Sequence, residues 1–112
     1  MNKYHASKQT IDNIQFPSKA EADRYRYLKF RLLAGEITDL KTQPKFTLLE
    51  SFEYGDERVR GINYTADFQY QENGRTIIEE VKGFETRDFK LRWKLVRHQY
   101  KDRDDIVFRM IK

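Results

Sequence analysis

Residues 64–82 read YTADFQYQENGRTIIEEVK, and this stretch predicts two β-strands joined by a tight turn. The dipeptide Asn73-Gly74 is the strongest short-range hairpin signal, because both residues tolerate the positive φ of a type I′ turn. On either side, residues 64–70 and 76–81 are rich in aromatic and β-branched side chains, which favour strands. We therefore expect an antiparallel hairpin over this stretch.

A two-residue turn also determines which residues of the hairpin lie opposite each other, and it places Asp67 directly opposite Glu80. Because strand side chains alternate between faces, Lys82 lies on the same face as Glu80. Opposed side chains have Cβ atoms about 5 Å apart, and two like charges there destabilise a sheet. A divalent cation between the carboxylates would offset that repulsion. The alternative is a solvated, charged face that Lys82 simply bridges.

The other face of the hairpin is mostly apolar, so we expect it to pack against the core. Glu79 is the exception on that face, and we expect it to pair with an arginine or lysine at the edge of the sheet. The members of this face are Ala66, Phe68, Tyr70, Ile77, Glu79 and Val81.

The flanking sequence predicts two amphipathic helices and further strands. Ser18 and Thr86 are good N-caps, and each precedes apolar residues at helical spacing. The predicted order is an N-terminal hairpin over 10–16, a helix over about 19–34, strands over 44–52, 64–70 and 76–81, a helix over about 87–100 and a strand over 106–111. This order gives an α/β fold with a mixed central β-sheet flanked by helices.

Length and composition exclude several classes of protein. The 112 residues suffice for one core, so we expect a single domain over residues 1–112. Cysteine is absent, which excludes disulfides and thiolate metal sites. No apolar run approaches the roughly 18 residues of a membrane span, so we expect a cytoplasmic protein with no membrane partner.

The formal net charge of +4 favours an anionic partner. Residues 87–103 carry seven cations against two acids. The first candidates for phosphate contacts, about one turn apart on the second helix, are Lys90, Lys94 and Arg97. A solvated helix face is the alternative. We expect residues 1–9 to form a flexible basic arm that reaches along DNA, with Lys8 as a contact; the alternative is a tail whose positive charge has no function.

Asp67, a spacer of a dozen residues and then Glu80-Val81-Lys82 resemble the PD-(D/E)xK signature of restriction-endonuclease-like nucleases. The predicted order α-β-β-β-α-β is similar to the common core of that superfamily. One departure is Ala66, which precedes Asp67 where the signature has a proline.

Three further stretches strengthen the resemblance. Glu21 lies on the first predicted helix, as a glutamate often does in such nucleases. Gln43-Pro44 and the stretch from Tyr64 to Phe68 resemble transposon-end and phage members of the superfamily. From Lys3 to the last strand, the chain is similar to a small phage and prophage family catalogued as domain of unknown function 1064.

The resemblance implies a restriction-endonuclease-like core and a metal-dependent DNA endonuclease. Asp67, Glu80, Glu21 and the backbone carbonyl of Val81 would bind Mg²⁺ or Mn²⁺. Lys82 would position the nucleophile. The partner would be duplex or branched DNA. Similar phage enzymes resolve branched DNA as dimers, so we expect a homodimer that acts on junctions, with nicking or trimming of linear DNA as the alternative.

Two of the implied site residues have competing structural roles. Ser18 and Glu21 have the spacing of a capping box, in which Glu21 bonds back to the Ser18 backbone N–H. We expect capping and metal binding by Glu21 to exclude each other. Gln43 is either a substrate contact or an ordinary loop residue.

Two other functions compete with the nuclease. One is a non-catalytic DNA-binding protein on the same fold, and the other is a small interaction protein whose basic helix docks an acidic partner. Asp67, Glu80 and Lys82 are all intact, whereas a degenerate copy would have lost one of them, so the residues favour the enzyme.

Overall fold

A computed structural model of the chain describes residues 8–112. The basic arm predicted over residues 1–9 lies outside this range except for Lys8 and Gln9, and Gln9 already belongs to a strand. The described elements, in chain order, are β1 (Gln9–Ile11), β2 (Ile14–Phe16), α1 (Lys19–Leu33), β3 (Thr38–Thr42), β4 (Lys45–Leu49), β5 (Phe52–Tyr54), β6 (Glu57–Val59), β7 (Ile62–Thr65), β8 (Phe68–Glu72), β9 (Arg75–Val81), α2 (Arg87–Gln99) and β10 (Ile106–Ile111).

Local signals at the N-terminal hairpin and at the helix ends behave as the sequence predicts. Asp12 and Asn13 take φ values of 53° and 64° at the turn between β1 and β2. Their short polar side chains tolerate this left-handed conformation. Ser18 caps α1 by accepting from the Glu21 N–H at 3.2 Å, and Thr86 caps α2 by accepting from the Phe89 N–H at 3.0 Å. The predicted hairpin and both helices are therefore confirmed.

The two helices differ in how much of their surface is buried. Leu33, the last residue of α1, has 79% of its surface exposed. Trp93 of α2 is 8% exposed and lies in the core. Neither helix within the described range is long and apolar enough to cross a membrane.

A four-stranded mixed sheet with the order β10-β9-β8-β3 forms the centre of the fold. The β9–β10 pair is parallel, and the β8–β9 and β3–β8 pairs are antiparallel. Ile77 packs with α1 and the neighbouring Ile78 packs with α2, so the helices cover opposite faces of the sheet. The predicted α/β fold with a mixed sheet between helices is confirmed.

The predicted range of the first strand of the central sheet is wrong. The prediction assigns it to residues 44–52, whereas the sheet contains β3 and leaves β4 outside. The stretch Thr38–Thr42 reads TDLKT and lies at the edge of the sheet, where one neighbour suffices and most side chains stay polar. With β3 as the first strand, the order of helices and sheet strands is α-β-β-β-α-β.

Two strands extend beyond the central sheet, and the backbone of each is kinked at the point where it leaves the sheet. The predicted strand over residues 64–70 is divided into β7 and β8, and β3 likewise continues into β4. Two backbone bonds join the kinks, from the Gln43 N–H to the Asp67 carbonyl at 2.9 Å and from the Ala66 N–H to the Pro44 carbonyl at 3.0 Å. Asp67 therefore lies between two strands and not within one.

Beyond the kink, residues 45–65 form a long antiparallel arm that the sequence did not predict as a unit. β4 pairs with β7 and β5 pairs with β6 towards the tip. Gly61 has to be glycine there, because a Cβ would lie 2.3 Å from the Leu49 carbonyl oxygen. The arm carries the exposed aromatic side chains Phe52 and Tyr54.

Candidate active site

Four of the residues predicted to carry the chemistry meet in one cavity of about 210 Å³, which we call the acidic cavity. Glu21 reaches it from the first turn of α1, Asp67 from the kink, and Glu80 from β9. Lys82 follows directly after β9. The remaining lining residues are Val81, Gly83, Phe84, Glu85, Phe89 and Met110.

Asp67 is held by the backbone of β9. Its own N–H donates to the Glu79 carbonyl at 3.0 Å, and its Oδ2 accepts from the Val81 N–H at 2.7 Å. The prediction that Asp67 faces Glu80 within a regular ladder is wrong, because β8 begins one residue later, at Phe68. From Phe68 onward the register that the turn predicts is confirmed. Burial raises the pKa of the Asp67 carboxyl.

Glu80 lies near Asp67 despite the kink. Burial, together with the charge of Asp67, raises the pKa of Glu80 to about 7. The Tyr64 hydroxyl donates a hydrogen bond to Oε1 of Glu80. No role is predicted for Tyr64 from the sequence, although it belongs to the Tyr64–Phe68 stretch that carries part of the resemblance. It is 3% exposed, and burial and its bond to Glu80 raise its pKa.

Half of the predicted capping box forms at Glu21: among the described residues the Ser18 hydroxyl caps the helix, but the Ser18 backbone N–H does not donate to the Glu21 carboxylate. The Ser18 hydroxyl accepts from the Glu21 N–H at 3.2 Å and donates to Oε2 of Glu21 at 3.4 Å. The same carboxylate lines the acidic cavity. Burial, and then the charge of Asp67, raise the pKa of Glu21 to about 8. A glutamate in the first turn therefore contacts its cap and still reaches the cavity.

Lys82 and Val81 lie at the cavity as predicted. Lys82 is exposed, and its backbone N–H donates to the Ile111 carbonyl at 2.7 Å, which fixes the chain just past the end of β9. Among the residues that line the cavity, Lys82 supplies the positive charge against four carboxyl groups. The fourth is Glu85, which is not among the predicted site residues.

The donor set of the acidic cavity suits a divalent cation. Mg²⁺ and Mn²⁺ prefer carboxylate and carbonyl oxygens as ligands. Within residues 8–112 no three acidic, histidine or cysteine side chains are already gathered around a common point. Instead, Glu21, Asp67 and Glu80 bond to protein donors through one oxygen each. A carboxylate has about four lone-pair sites, so these bonds leave capacity for a further ligand.

Glu79 lies on the opposite face of β9, beneath α1. It is fully buried, and Arg24 donates to its two oxygens at 2.8 and 2.6 Å. The Tyr70 hydroxyl donates to it as well. The predicted pairing of Glu79 with an arginine is confirmed, but the predicted location is wrong. β9 lies between β8 and β10, and the pair is in the core and not at a sheet edge.

The predicted DNA contacts fall into two groups, one on α2 and one away from the lining of the acidic cavity. Lys90, Lys94 and Arg97 are exposed and lie one turn apart on α2, whose N-terminal Phe89 lines the acidic cavity. Lys8 and Gln43 are exposed too, but neither belongs to the described lining of that cavity. Gln43 takes a φ of 54° at the kink opposite Asp67. Such a left-handed φ is costly for a residue with a long side chain, and strained backbone tends to occur near functional sites.

A family model described as "Protein of unknown function (DUF1064)" matches residues 1–112, which include every residue of the acidic cavity. No curated protein matches the chain. The resemblance to the family of domain of unknown function 1064 is therefore confirmed. The family's description names neither a fold nor an activity, so the wider resemblance to restriction-endonuclease-like nucleases stays a prediction.

Proposed function

The chain belongs to the DUF1064 family, and we propose that it is a metal-dependent DNA endonuclease with a restriction-endonuclease-like core. The observation that carries the proposal is that three carboxylates, those of Glu21, Asp67 and Glu80, line one cavity together with Lys82. These groups come from α1, the kink and β9, so their meeting requires the tertiary fold.

Uncompensated charge is the physical argument for a metal ion. Burial and mutual repulsion raise the pKa values of Glu21 and Glu80 to about 8 and about 7. Buried carboxylates rarely lie close together in proteins without a counter-charge, because desolvation and mutual repulsion both raise the free energy of the charged groups. A divalent cation offsets both costs. We therefore propose that Asp67, Glu80 and Glu21, with the Val81 carbonyl, hold Mg²⁺ or Mn²⁺.

The residues of the cavity have distinct roles in the proposed hydrolysis. When bound, the ion would polarise the scissile phosphodiester and make a water molecule more acidic. Lys82 would orient the attacking water and offset the negative charge that grows on the phosphate. The Val81 N–H and the Tyr64 hydroxyl would keep Asp67 and Glu80 oriented, as hydrogen bonds to metal ligands generally do. Water adds to phosphorus as the bond to the leaving oxygen breaks.

A basic surface beside the cavity supports DNA as the substrate. The charge of α2 is strongly positive, and its exposed flank of Lys90, Lys94 and Arg97 starts next to the cavity wall at Phe89. Cations at this spacing suit a phosphate backbone. Lys8 and Gln43 are proposed as secondary contacts. A homodimer that acts on branched DNA remains our proposal for the assembly, with cutting of linear DNA as the alternative.

Cleavage assays on linear duplex, flap and four-way-junction DNA test the proposal. We expect cutting with Mg²⁺ or Mn²⁺ and none with EDTA. Glu80→Gln and Lys82→Ala should each slow cutting by about 100-fold or more, as removal of groups that stabilise a transition state generally does. Glu53→Gln is the matched control, because Glu53 lies exposed on the arm and should leave the rate unchanged.

Two outcomes would contradict the proposal in different ways. Metal-dependent cutting that survives both cavity substitutions would show that the reaction occurs elsewhere. A wild-type protein that binds DNA but cuts none of the three substrates would favour the non-catalytic DNA-binding protein. Preference for the junction over the duplex would support the branched-DNA proposal.

A further inference from the structure

A second cavity, of about 470 Å³, opens at the far end of α2, and we call it the basic cleft. The start of β9, the end of α2 and the start of β10 form its walls. Four cationic side chains line it against one acidic side chain, Asp104; the cations are Arg75, Arg97, Lys101 and Arg103.

The four cations differ in how they are neutralised. Lys101 pairs with Asp102 at 2.9 Å, and Arg103 pairs with Asp105 at 2.9 Å. Within the described part of the chain, Arg75 and Arg97 make no ion pair. The basic cleft therefore offers the Arg97 guanidinium to an external anion, with Arg75 at its edge.

Arg97 is also held in place. Its guanidinium lies 5.2 Å from the centre of the Trp93 ring, and its Nε donates to the Trp93 carbonyl at 3.2 Å. Stacking of this kind fixes the plane of the guanidinium before a ligand arrives. A planar, oriented guanidinium suits the two oxygens of a phosphodiester.

The basic cleft and the acidic cavity lie at opposite ends of the same elements. Arg75 begins β9, and Val81, which lines the acidic cavity, ends it, so about 20 Å of strand separates them. α2 runs alongside from Phe89 at the acidic cavity to Arg97 at the basic cleft. Lys90 and Lys94 are exposed between these two ends.

We infer that the basic cleft binds a phosphodiester of the DNA substrate about six base pairs from the bond that is cut. The spacing follows from about 20 Å of strand and about 3.4 Å of duplex per base pair. This inference rests on the proposed nuclease function and adds to it a second contact with the substrate. Lys90 and Lys94 bind the backbone between the two cavities.

Fluorescence anisotropy with a labelled duplex long enough to reach both cavities tests the inference. Binding is measured in EDTA over a range of salt, for the wild type, Arg75→Ala, Arg97→Ala and the double variant. Each substitution should weaken binding roughly tenfold near 0.1 M salt and reduce the salt slope by about 0.9. Arg26→Ala is the matched control, since Arg26 lies exposed on α1, across the sheet from α2, and should change neither.

Arg97→Ala also removes a contact with Trp93, so thermal unfolding is recorded for every variant. Arg75 is exposed at the start of β9, and Arg75→Ala serves as the second test if Arg97→Ala unfolds. Wild-type binding with an unchanged salt slope in Arg75→Ala overturns the inference and leaves the nuclease proposal intact. A wild type that neither binds nor cuts DNA overturns both.

The positions of cuts on an end-labelled duplex test the spacing. Wild type should cut poorly where fewer than about six base pairs separate the scissile bond from the end that would lie in the basic cleft. The double variant should lose this effect. Equal cutting up to both ends by the wild type would overturn the spacing and with it the inference.

Discussion

Glu79 and Glu80 are neighbours on β9, and the structure treats them in opposite ways. Glu79 points under α1, is fully buried, has its charge matched by Arg24 and accepts a further hydrogen bond from Tyr70. Glu80 points into the acidic cavity, where Asp67 adds a second negative charge and raises its pKa. One carboxylate is fully compensated within the protein, and the other is not.

The difference shows that one face of β9 stabilises the fold, whereas the other face forms the candidate site. A buried carboxylate that is paired with an arginine joins α1 to the sheet, and its charge is offset within the protein. A half-buried carboxylate beside others is destabilising unless something from outside the chain offsets its charge. Alternation along β9 is what keeps the two environments apart.

Of the substitutions that test this comparison, Glu79→Ala should have the largest effect on stability. The substitution leaves Arg24 and the Tyr70 hydroxyl without their partner beneath α1, where Arg24 is 20% exposed. Breaking such a pair generally costs about 3 kcal/mol or more of unfolding free energy. Urea unfolding followed by circular dichroism measures the loss.

The control for this prediction is Glu50→Ala, an exposed position on the arm, which should change stability by less than about 0.5 kcal/mol. If Glu79→Ala were as stable as Glu50→Ala, the Arg24 pair would not hold α1 on the sheet, and the two glutamates would not differ as described.

A smaller effect should appear in the pH dependence of stability. The folded pKa values of Glu80 and Glu21, about 7 and about 8, lie above the ordinary 4.5. The folded protein then binds more protons than the unfolded chain between these values, so metal-free protein should lose stability as pH rises from about 4.5 to 8. Glu80→Gln removes part of this loss and should raise the unfolding temperature at pH 8 by a few degrees.

Thermal unfolding of metal-free wild type and Glu80→Gln from pH 4.5 to 8 measures this effect. Glu53→Gln, on the exposed arm, should follow the wild-type curve. A wild-type curve that rises with pH over this range, or a Glu80→Gln protein that is less stable at pH 8, would contradict the view that Glu80 is uncompensated.

Much of the fold follows from local sequence. The Asn73-Gly74 turn predicts the register of β8 and β9, because a two-residue loop allows only one pairing of the residues on either side. Ser18 and Thr86 predict the helix starts because their hydroxyls satisfy N–H groups within the same turn. The meeting of Asp67 and Glu80 follows from that register, even though the kink shifts Asp67 out of the ladder.

The kink and the arm could not be predicted, because both depend on contacts between distant segments. β3 is mostly polar and gains its place by pairing with β8 at the edge of the sheet. The chain bends at Gln43 and at Asp67, which are joined by a backbone hydrogen bond. No local sequence pattern predicts that bond. The partner of Glu79 lies on α1, and sequence spacing carries no signal for a contact of that kind.

Binding of Mn²⁺ to metal-free protein tests the central claim most directly. Isothermal titration calorimetry at pH 7, in two buffers of different ionisation heat, measures both affinity and released protons. We predict that the wild type binds Mn²⁺ and releases protons, because the raised pKa values of Glu21 and Glu80 leave them partly protonated. Glu80→Gln should weaken binding about tenfold or more, and Glu53→Gln should not. Equal affinity in the wild type and in Glu80→Gln would contradict the assignment of the acidic cavity as a metal site.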